Sequence, residues 1–323
     1  MSDTPRILYM GTPDFAVPAL EALCAQGYHV VSVVTQPDRQ RGRGHKLAPS
    51  PVKAKAVELG LPVLQPESLR SGREWEEAIA KAAPDLIVVC AYGKILPKET
   101  LETPSLGCVN IHASLLPKYR GAAPIHRAVE AGERETGVTL MFMSEGLDEG
   151  DMIAVRTLPI SGMNAGEVTG ALAHLGAELL MDELQGIMAG ASSREPQDGS
   201  AATYAPPVAK EEGHIVFSAD ADAVCRKILA MTPTPGAYAF LGGDKIKIVK
   251  AQVTAGFRAG NADVGTGHPA PGTVLETDDG TIIVATGQGG AIAITMLQSP
   301  GGRPLCAADW LRGHKIAHGT IIE

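Results

Sequence analysis

At 323 residues the chain exceeds what one ordinary hydrophobic core organises, and it suits two domains. Its 45% apolar and 20% charged residues are the balance of a globular protein, and a net charge of −8 argues against indiscriminate nucleic-acid binding. No apolar run approaches the roughly 20 residues of a membrane span, and a first strand opening by Arg6 leaves no room for a leader peptide. A cytoplasmic protein with no membrane partner is expected, and a monomer.

From Arg6 to about Val155, short β-branched runs alternate with helical stretches, the grammar of a mostly parallel, Rossmann-like sheet with helices on both faces. Residues 7–10 predict the first strand, and the turn Gly11-Thr12-Pro13 leads into a helix to Gln26. Strands follow at 30–35, 62–64, 86–90 and 108–111, and a late strand pair at 138–143 and 152–159. Helices are predicted at 51–59, opened by Ser50 as N-cap with Pro51 at the first position, at 74–83, and from Pro124 to about 131. Asn164-x-x-Glu167 has the form of a capping box and predicts a long helix to about Met188. Residues 191–207 are rich in Ser, Ala, Pro and Gly without apolar periodicity and read as a linker. Beyond them, short alternating runs (215–217, 237–240, 245–253, 272–276, 281–286, 291–296) and helices at 221–231 and 307–311 predict a small C-terminal OB-like β-barrel. The division is therefore 1–190, a linker 191–207, and 208–323. The last part carries ten Lys/Arg against eleven Asp/Glu, so the acidity sits in the first half.

Five cysteines stand far apart with no C-x-x-C pair and read as core-filling side chains, and the nine histidines are scattered, so no metal is expected. Gly11-Thr-Pro-Asp-Phe after the first strand is not a dinucleotide fingerprint, which excludes a dehydrogenase reading. One basic island interrupts the acidic chain: Arg39, Arg41, Arg43, Lys46, Lys53 and Lys55 against Asp38 give residues 38–55 a net charge of +5. That suits a phosphate-facing contact, and equally a solvated loop.

The fourth long strand ends in Asn110-Ile111-His112, which puts both polar side chains on one side of extended chain. Such residues often only satisfy loop backbone. Downstream, Gly146-Leu147-Asp148-Glu149-Gly150-Asp151 sets carboxylates in a glycine-bounded loop, where an Asp is ordinarily a local cap. Together, Asn, His and Asp suffice for acylating an amine. Amide and imidazole N–H groups steady the oxyanion, and a carboxylate fixes the imidazole and eases deprotonation of the amine.

At these residues a resemblance enters. The run Asn110-x-His112-x-Ser114-Leu115-Leu116-Pro117, then Gly121-Ala-Ala-Pro-Ile125 and Gly146-Leu-Asp148-x-Gly150-Asp151, resembles the signature of N10-formyltetrahydrofolate-dependent formyltransferases. The resemblance implies catalytic roles for Asn110, His112 and Asp148, and a folate site lined by Ser114, Leu115, Leu116 and Pro117. It also sets Ala91-Tyr-Gly-Lys-Ile-Leu-Pro97 beside the pterin. Within that family, Gly11-Thr-Pro-Asp-Phe-Ala and the stretch from Gln36 through Gly42-Arg43-Gly44 to Lys53 resemble the members that act on methionyl-tRNA. This implies a loop that enters the acceptor stem of initiator methionyl-tRNA, with Arg43 as wedge and Arg39, Arg41 and Lys46 beside it. Lys46, Lys53 and Lys55 would neutralise phosphate. It further implies tRNA binding by the barrel, for which Arg226, Lys227, Lys245, Lys247 and Lys250 are candidates, although lysines at alternate strand positions are also ordinary solvent-facing residues. His45 stands where a Lys is common.

Overall fold

The computed structural model describes residues 4–41, 46–69, 73–254, 268–277 and 280–323. Contacts divide the chain into two interleaved units, one gathering residues 1–124, 135–159 and 169–206, the other 125–134, 160–168 and 207–323.

The first unit is built on β1 (Arg6–Gly11), β2 (His29–Val34), β5 (Val63–Leu64), β6 (Leu86–Cys90), β7 (Cys108–His112), β9 (Glu135–Phe142) and β10 (Met152–Pro159). They form one seven-stranded sheet in the order β10-β9-β7-β6-β1-β2-β5. The five strands from β7 to β5 run parallel, and β9 and β10 close one edge antiparallel. Helices α1 (Val17–Ala25), α2 (Pro51–Glu58), α3 (Arg73–Ala82), α4 (Lys98–Leu101), α5 (Pro124–Ala131) and α6 (Ala165–Met188) lie between or after these strands. β1 and β6 are continuous apolar runs buried along their length, as strands covered on both faces must be. Leu8, Met10, Ile87, Val89 and Cys108 share one core with Trp75 and Ile79 of α3. On the opposite face, Ile111 meets α6 at Gly176, where a β-carbon would lie 2.7 Å from the isoleucine Cγ2. Cys90 and Cys108 are buried, and burial pushes both thiols up to about 12, which fits core filling and excludes thiolate chemistry at neutral pH.

From β1 the chain runs outward through β2 to β5 and then returns to β6 on the other side of β1. The strand order therefore reverses between β1 and β6, and a crevice at their carboxyl ends follows from that reversal. Several expected bounds change. The helix expected from Pro13 is a 3-10 turn at Asp14–Ala16 followed by α1 from Val17. The basic island is part of a ribbon, β3 (Arg39–Arg41) against β4 (Lys46–Ala48), with Arg39 opposite Ala48 and Arg41 opposite Lys46.

The stretch 191–207 is not a bare linker. Glu195 exchanges both backbone hydrogen bonds with Met152, and β11 (Tyr204–Ala205) pairs with β8 (Arg120–Gly121). Its lack of periodicity reflects a segment that follows the surface of the first unit residue by residue.

The second unit carries β12 (Tyr238–Leu241), β13 (Asp244–Val253), β14 (Val274–Thr277), β15 (Ile282–Ala285), β16 (Ala291–Gln298) and β17 (Leu305–Cys306), antiparallel in the order β12-β13-β16-β15-β14, with β17 on β16. α7 (Ala221–Met231) and α8 (Ala307–Gly313) pack on this sheet. Residues 215–217 form no strand: only His214 bridges to Tyr238, and Val216 is exposed. The capping box before α6 is real, with Asn164 N–H donating to Glu167 and Glu167 N–H donating back to Asn164 Oδ1 at 3.0 Å. Among the described residues no helix is long and apolar enough to cross a membrane, and no group of three His, Cys, Asp or Glu side chains could hold a metal.

Candidate active site

β7 carries Asn110 and His112 to its carboxyl end. In the ladder Asn110 lies beside Val89 of β6 and Met141 of β9, and His112 beside Thr139. Alternation directs Ile111 to α6 and leaves the two polar side chains on the other face, both buried. Tyr119 follows seven residues later, and its carbonyl oxygen lies 3.0 Å from His112 Nε2. A carbonyl oxygen only accepts, so Nε2 carries the proton of that hydrogen bond. Nδ1 is thereby the nitrogen that faces Asp148, at 3.6 Å from Oδ2.

Asp148 is not a local cap. Its Oδ2 accepts from Gly121 N–H at 2.8 Å, 27 residues away. Gly121 is held against β11, where a β-carbon would lie 2.9 Å from the Ala205 carbonyl oxygen, and its φ of +117° is open only to glycine. Asp148 itself has φ +51°, Tyr119 +60° and Ala91 +47°; these are three of five non-glycine residues with positive φ among the described residues. Such conformations cost of order 1–3 kcal/mol each and cluster where surrounding structure enforces them. The enforcement here is visible. Gln197 donates from Nε2 to the carbonyl oxygens of Asp148 and Gly150, and its Oε1 accepts from Arg120 Nε and Nη2.

The loop 114–117 is pinned from below. Thr139 Oγ1 donates to Ser114 O at 2.7 Å and accepts from Leu116 N–H, while the Ser114 hydroxyl donates to the Lys118 carbonyl. Ser114 and Leu116 are buried, and Leu115 and Pro117 are half-buried.

A cavity of about 290 Å³ occupies the switch point. Thr12 and Pro13 from the end of β1, Gln36 and Pro37 after β2, and Ala91, Tyr92 and Gly93 after β6 line it, and so do Arg39 and Ala48 at the feet of the β3–β4 ribbon. Gln36 Nε2 and Thr12 Oγ1 both donate to Tyr92 O. The Tyr92 hydroxyl is buried with no hydrogen-bond partner among the described residues, and burial pushes it up to about 12. β6 pairs with β7 at Val89–Asn110, so the cavity lies at the end of the strand next to the one that carries Asn110 and His112, but neither these two residues nor Asp148 nor Ser114–Pro117 line it.

The basic island divides. Lys53 Nζ pairs with Asp38 Oδ2 at 2.7 Å and Lys55 Nζ with Glu21 and Glu58 at 2.9 and 2.8 Å. Both lysines are thus committed to carboxylates, against the expectation that they face phosphate. The positive charge of the island is left to the ribbon, where Arg39 is exposed; the wedge candidate Arg43 lies outside the described residues, as do the side chains of Arg41 and Lys46. In the second unit Lys227 is likewise held by Glu130 at 2.7 Å. Lys245 lies over the Tyr238 ring at 3.3 Å, and Tyr238 and Phe240 stand opposite Lys247 and Lys245 on the β12–β13 hairpin.

Sequence reasoning did not single out Tyr119, Arg120 or Gln197, and it gave Gly121 only as part of the matched motif. Tyr119 and Arg120 adjoin that motif, but their roles and that of Gly121 come from backbone groups or long-range pairing, and Gln197 lies in the stretch read as linker.

Residues 5–184 match the family described as formyl transferase, and residues 207–315 match the formyl transferase C-terminal domain. The methionyl-tRNA formyltransferase of Caldanaerobacter subterraneus subsp. tengcongensis is 46% identical over 98% of this chain and 100% of its own length. That of Moorella thermoacetica is 45% identical over 98% and 99%. Among solved structures, WlaRD, a sugar 3N-formyl transferase in the presence of dTDP and 5-N-formyl-THF, superposes with a TM-score of 0.64 at 18% identity, covering 90% of this chain and 97% of that one. The methionyl-tRNA formyltransferase from Clostridium thermocellum gives 0.54 at 17%, covering 78% and 95%. These two likenesses speak to the fold, whereas the near-full-length identities speak to the family. The chain belongs to the methionyl-tRNA formyltransferase family.

Proposed function

We propose that the chain transfers the formyl group of N10-formyltetrahydrofolate to the α-amino group of methionyl initiator tRNA, by direct attack of the amine. The observation that carries this reading is that His112, buried on the same strand face as Asn110, faces the half-buried Asp148 carboxylate at 3.6 Å.

The neutral amine attacks the formyl carbon, and the carbonyl π electrons move to oxygen. The Asn110 amide steadies that oxygen, and His112 Nδ1, free to accept because Nε2–H is held by Tyr119 O, takes the proton that the amine loses and relays it. Asp148 stabilises the imidazolium so formed; at 3.6 Å the attraction is about 5 kcal/mol for an effective dielectric near 20, before desolvation. As the oxyanion collapses, the bond from carbon to N10 breaks, and the proton lost by the amine ends on N10. The products are formylmethionyl-tRNA and tetrahydrofolate. No covalent enzyme intermediate is required.

Leu115, Leu116 and Pro117 give the donor an apolar wall, with Ser114 shaping the loop through Lys118, and residues 91–97 flank the pterin. The feet of the β3–β4 ribbon wall the cavity, so an acceptor end guided by Arg39, Arg41, Arg43 and Lys46 arrives at the tips of β1 and β6. In this reading 1–190 is catalytic, 191–207 connects, and 208–323 grips tRNA, the whole acting as a cytoplasmic monomer.

The test incubates the protein with N10-formyltetrahydrofolate and methionine-charged initiator or elongator tRNA. Formylmethionine on the initiator and little on the elongator is expected. Release of formate without transfer, or equal formylation of both tRNAs, overturns the reading.

A further inference from the structure

The proposed role of Asp148 raises the question of what holds that residue in place, because neither its backbone conformation nor its loop is stable by itself. Residues 146–151 have two glycines and no secondary structure, and Asp148 sits in the left-handed region. Four hydrogen bonds join the loop to the rest of the first unit through one side chain. Gln197 Nε2 donates to Asp148 O at 2.9 Å and to Gly150 O at 2.8 Å; its Oε1 accepts from Arg120 Nε at 3.0 Å and Nη2 at 2.8 Å. Arg120 is 5% exposed, so its guanidinium cannot exchange this partner for bulk water. Its Nη1 also lies 3.8 Å from Glu149 Oε2. The next residue, Gly121, donates its N–H to the Asp148 carboxylate itself.

From this arrangement we infer that Gln197 and Arg120 are positioning residues for Asp148: a clamp between β8 and the 191–207 segment that sets the carboxylate against His112 Nδ1. This rests on the proposed role of Asp148. Neither clamp residue touches the reacting atoms. The polarity of the amide is what matters. Its donor end must face two carbonyl oxygens and its acceptor end an arginine fork, and reversing either end sets acceptor against acceptor or donor against donor. Glu195, two residues earlier, anchors the same segment to Met152 through paired backbone bonds, so Gln197 is fixed from both sides of the loop it holds.

Gln197→Glu separates positioning from mere folding. It keeps size and the Arg120 contact, but places carboxylate oxygen where N–H groups met the carbonyls of 148 and 150. We expect kcat to fall about 10- to 100-fold, the consequence of displacing a reacting group by about 1 Å, with KM for folate and for tRNA within about twofold of wild type. In an Asp148→Ala background the same substitution should change kcat by less than about twofold, since the clamp then has nothing to position. The ring ¹⁵N signals of His112, read without substrate, should shift in Gln197→Glu. If that variant does not fold, Gln197→Met, which removes both ends of the clamp without introducing charge, takes its place. Wild-type kcat, a loss confined to KM, an equal loss in the Asp148→Ala background, or unmoved His112 signals would each overturn the clamp. A wild-type protein that makes no formylmethionine overturns the functional reading instead, and the ring signals still decide whether Gln197 sets the Asp148–His112 geometry.

Discussion

Two polar clusters, one in each unit, use the same residue types to opposite ends. In the second unit Arg127, Glu130, Glu212 and Lys227 form a closed set: Arg127 Nη1 lies 2.8 Å from Glu130 and 2.7 Å from Glu212, and Lys227 lies 2.7 Å from Glu130. Each charge there meets an opposite charge at contact distance. In the first unit Asp148 faces His112 at 3.6 Å, beyond a direct hydrogen bond, while the remaining partners of both are neutral backbone groups. A cluster whose charges cancel stabilises a fold. One whose backbone is rigidly fixed but whose imidazole and carboxylate stop short of each other keeps capacity for a proton and for a developing oxyanion.

The strongest way to break the comparison is at His112. His112→Ala should lower single-turnover formylation by about 10² to 10⁴ while leaving the second unit's cluster and the binding of folate intact. Near-normal turnover would reduce the first-unit cluster to a structural one. Asp148→Asn sharpens the point, because it keeps size and the acceptor for Gly121 N–H but removes the charge that faces Nδ1. It should therefore reduce kcat with little change in KM.

The β3–β4 ribbon provides a third case, in which Arg39 is exposed beside the cavity. With Lys53 and Lys55 bound to carboxylates, the proposed reading assigns salt-sensitive tRNA binding to the ribbon and the barrel. Arg43→Ala is expected to weaken initiator-tRNA affinity about tenfold or more with folate affinity unchanged. Lys53→Ala should alter tRNA binding far less, and should instead loosen the tie among Asp38, Gln65 and α2. Titration with salt checks both: affinity should fall steadily with rising salt for the wild type, with a shallower slope for Arg43→Ala and an unchanged one for Lys53→Ala.

How much of this was legible in the chain follows the range of the interactions. α6 and α7 match the expected stretches because their N-termini are written locally, α6 in the Asn164–Glu167 box that the sequence shows and α7 in an Asp220 cap on Ala223 N–H that the structure adds. The strands of the first unit were legible as apolar runs punctuated by turns, but their order in the sheet was not. The placement of Asn110 and His112 on one face follows from alternation, whereas Asp148 was joined to them by the chemistry of amine acylation and by the family resemblance, since nothing local to 146–151 points 27 residues back to Gly121. The partners of Lys53 and Lys227 were invisible for the same reason: Asp38 is 15 residues from Lys53 and Glu130 lies 97 from Lys227. Lys55 has one distant partner, Glu21 at 34 residues, and one local partner, Glu58 one helical turn on, which the reading of the basic island passed over. Gln197 was lost in a stretch whose only sequence signal is an absence of periodicity.

The smallest expected effect lies in the closed cluster and reads as stability, not activity. Hydrogen bonds from Arg127, and after them from Ala209 N–H, hold the Glu212 carboxyl down at about 2 against an ordinary 4.5. Burial works against ionisation of Glu130, but hydrogen bonds from Lys227 and Arg127 outweigh it and leave that carboxyl lowered as well. A carboxyl lowered in the folded state contributes stability that is fully present above its unfolded value and is lost as pH falls through the folded one. Wild type should therefore melt a few degrees above Glu212→Gln near pH 7, and the gap should narrow from about pH 4.5 and close near pH 2. Because the cluster touches no reacting group, kcat should be the same in both proteins. A melting gap that stayed constant across this range would mean that Glu212 acts through packing and not through its charge, and the contrast between the two clusters would then rest on the first unit alone.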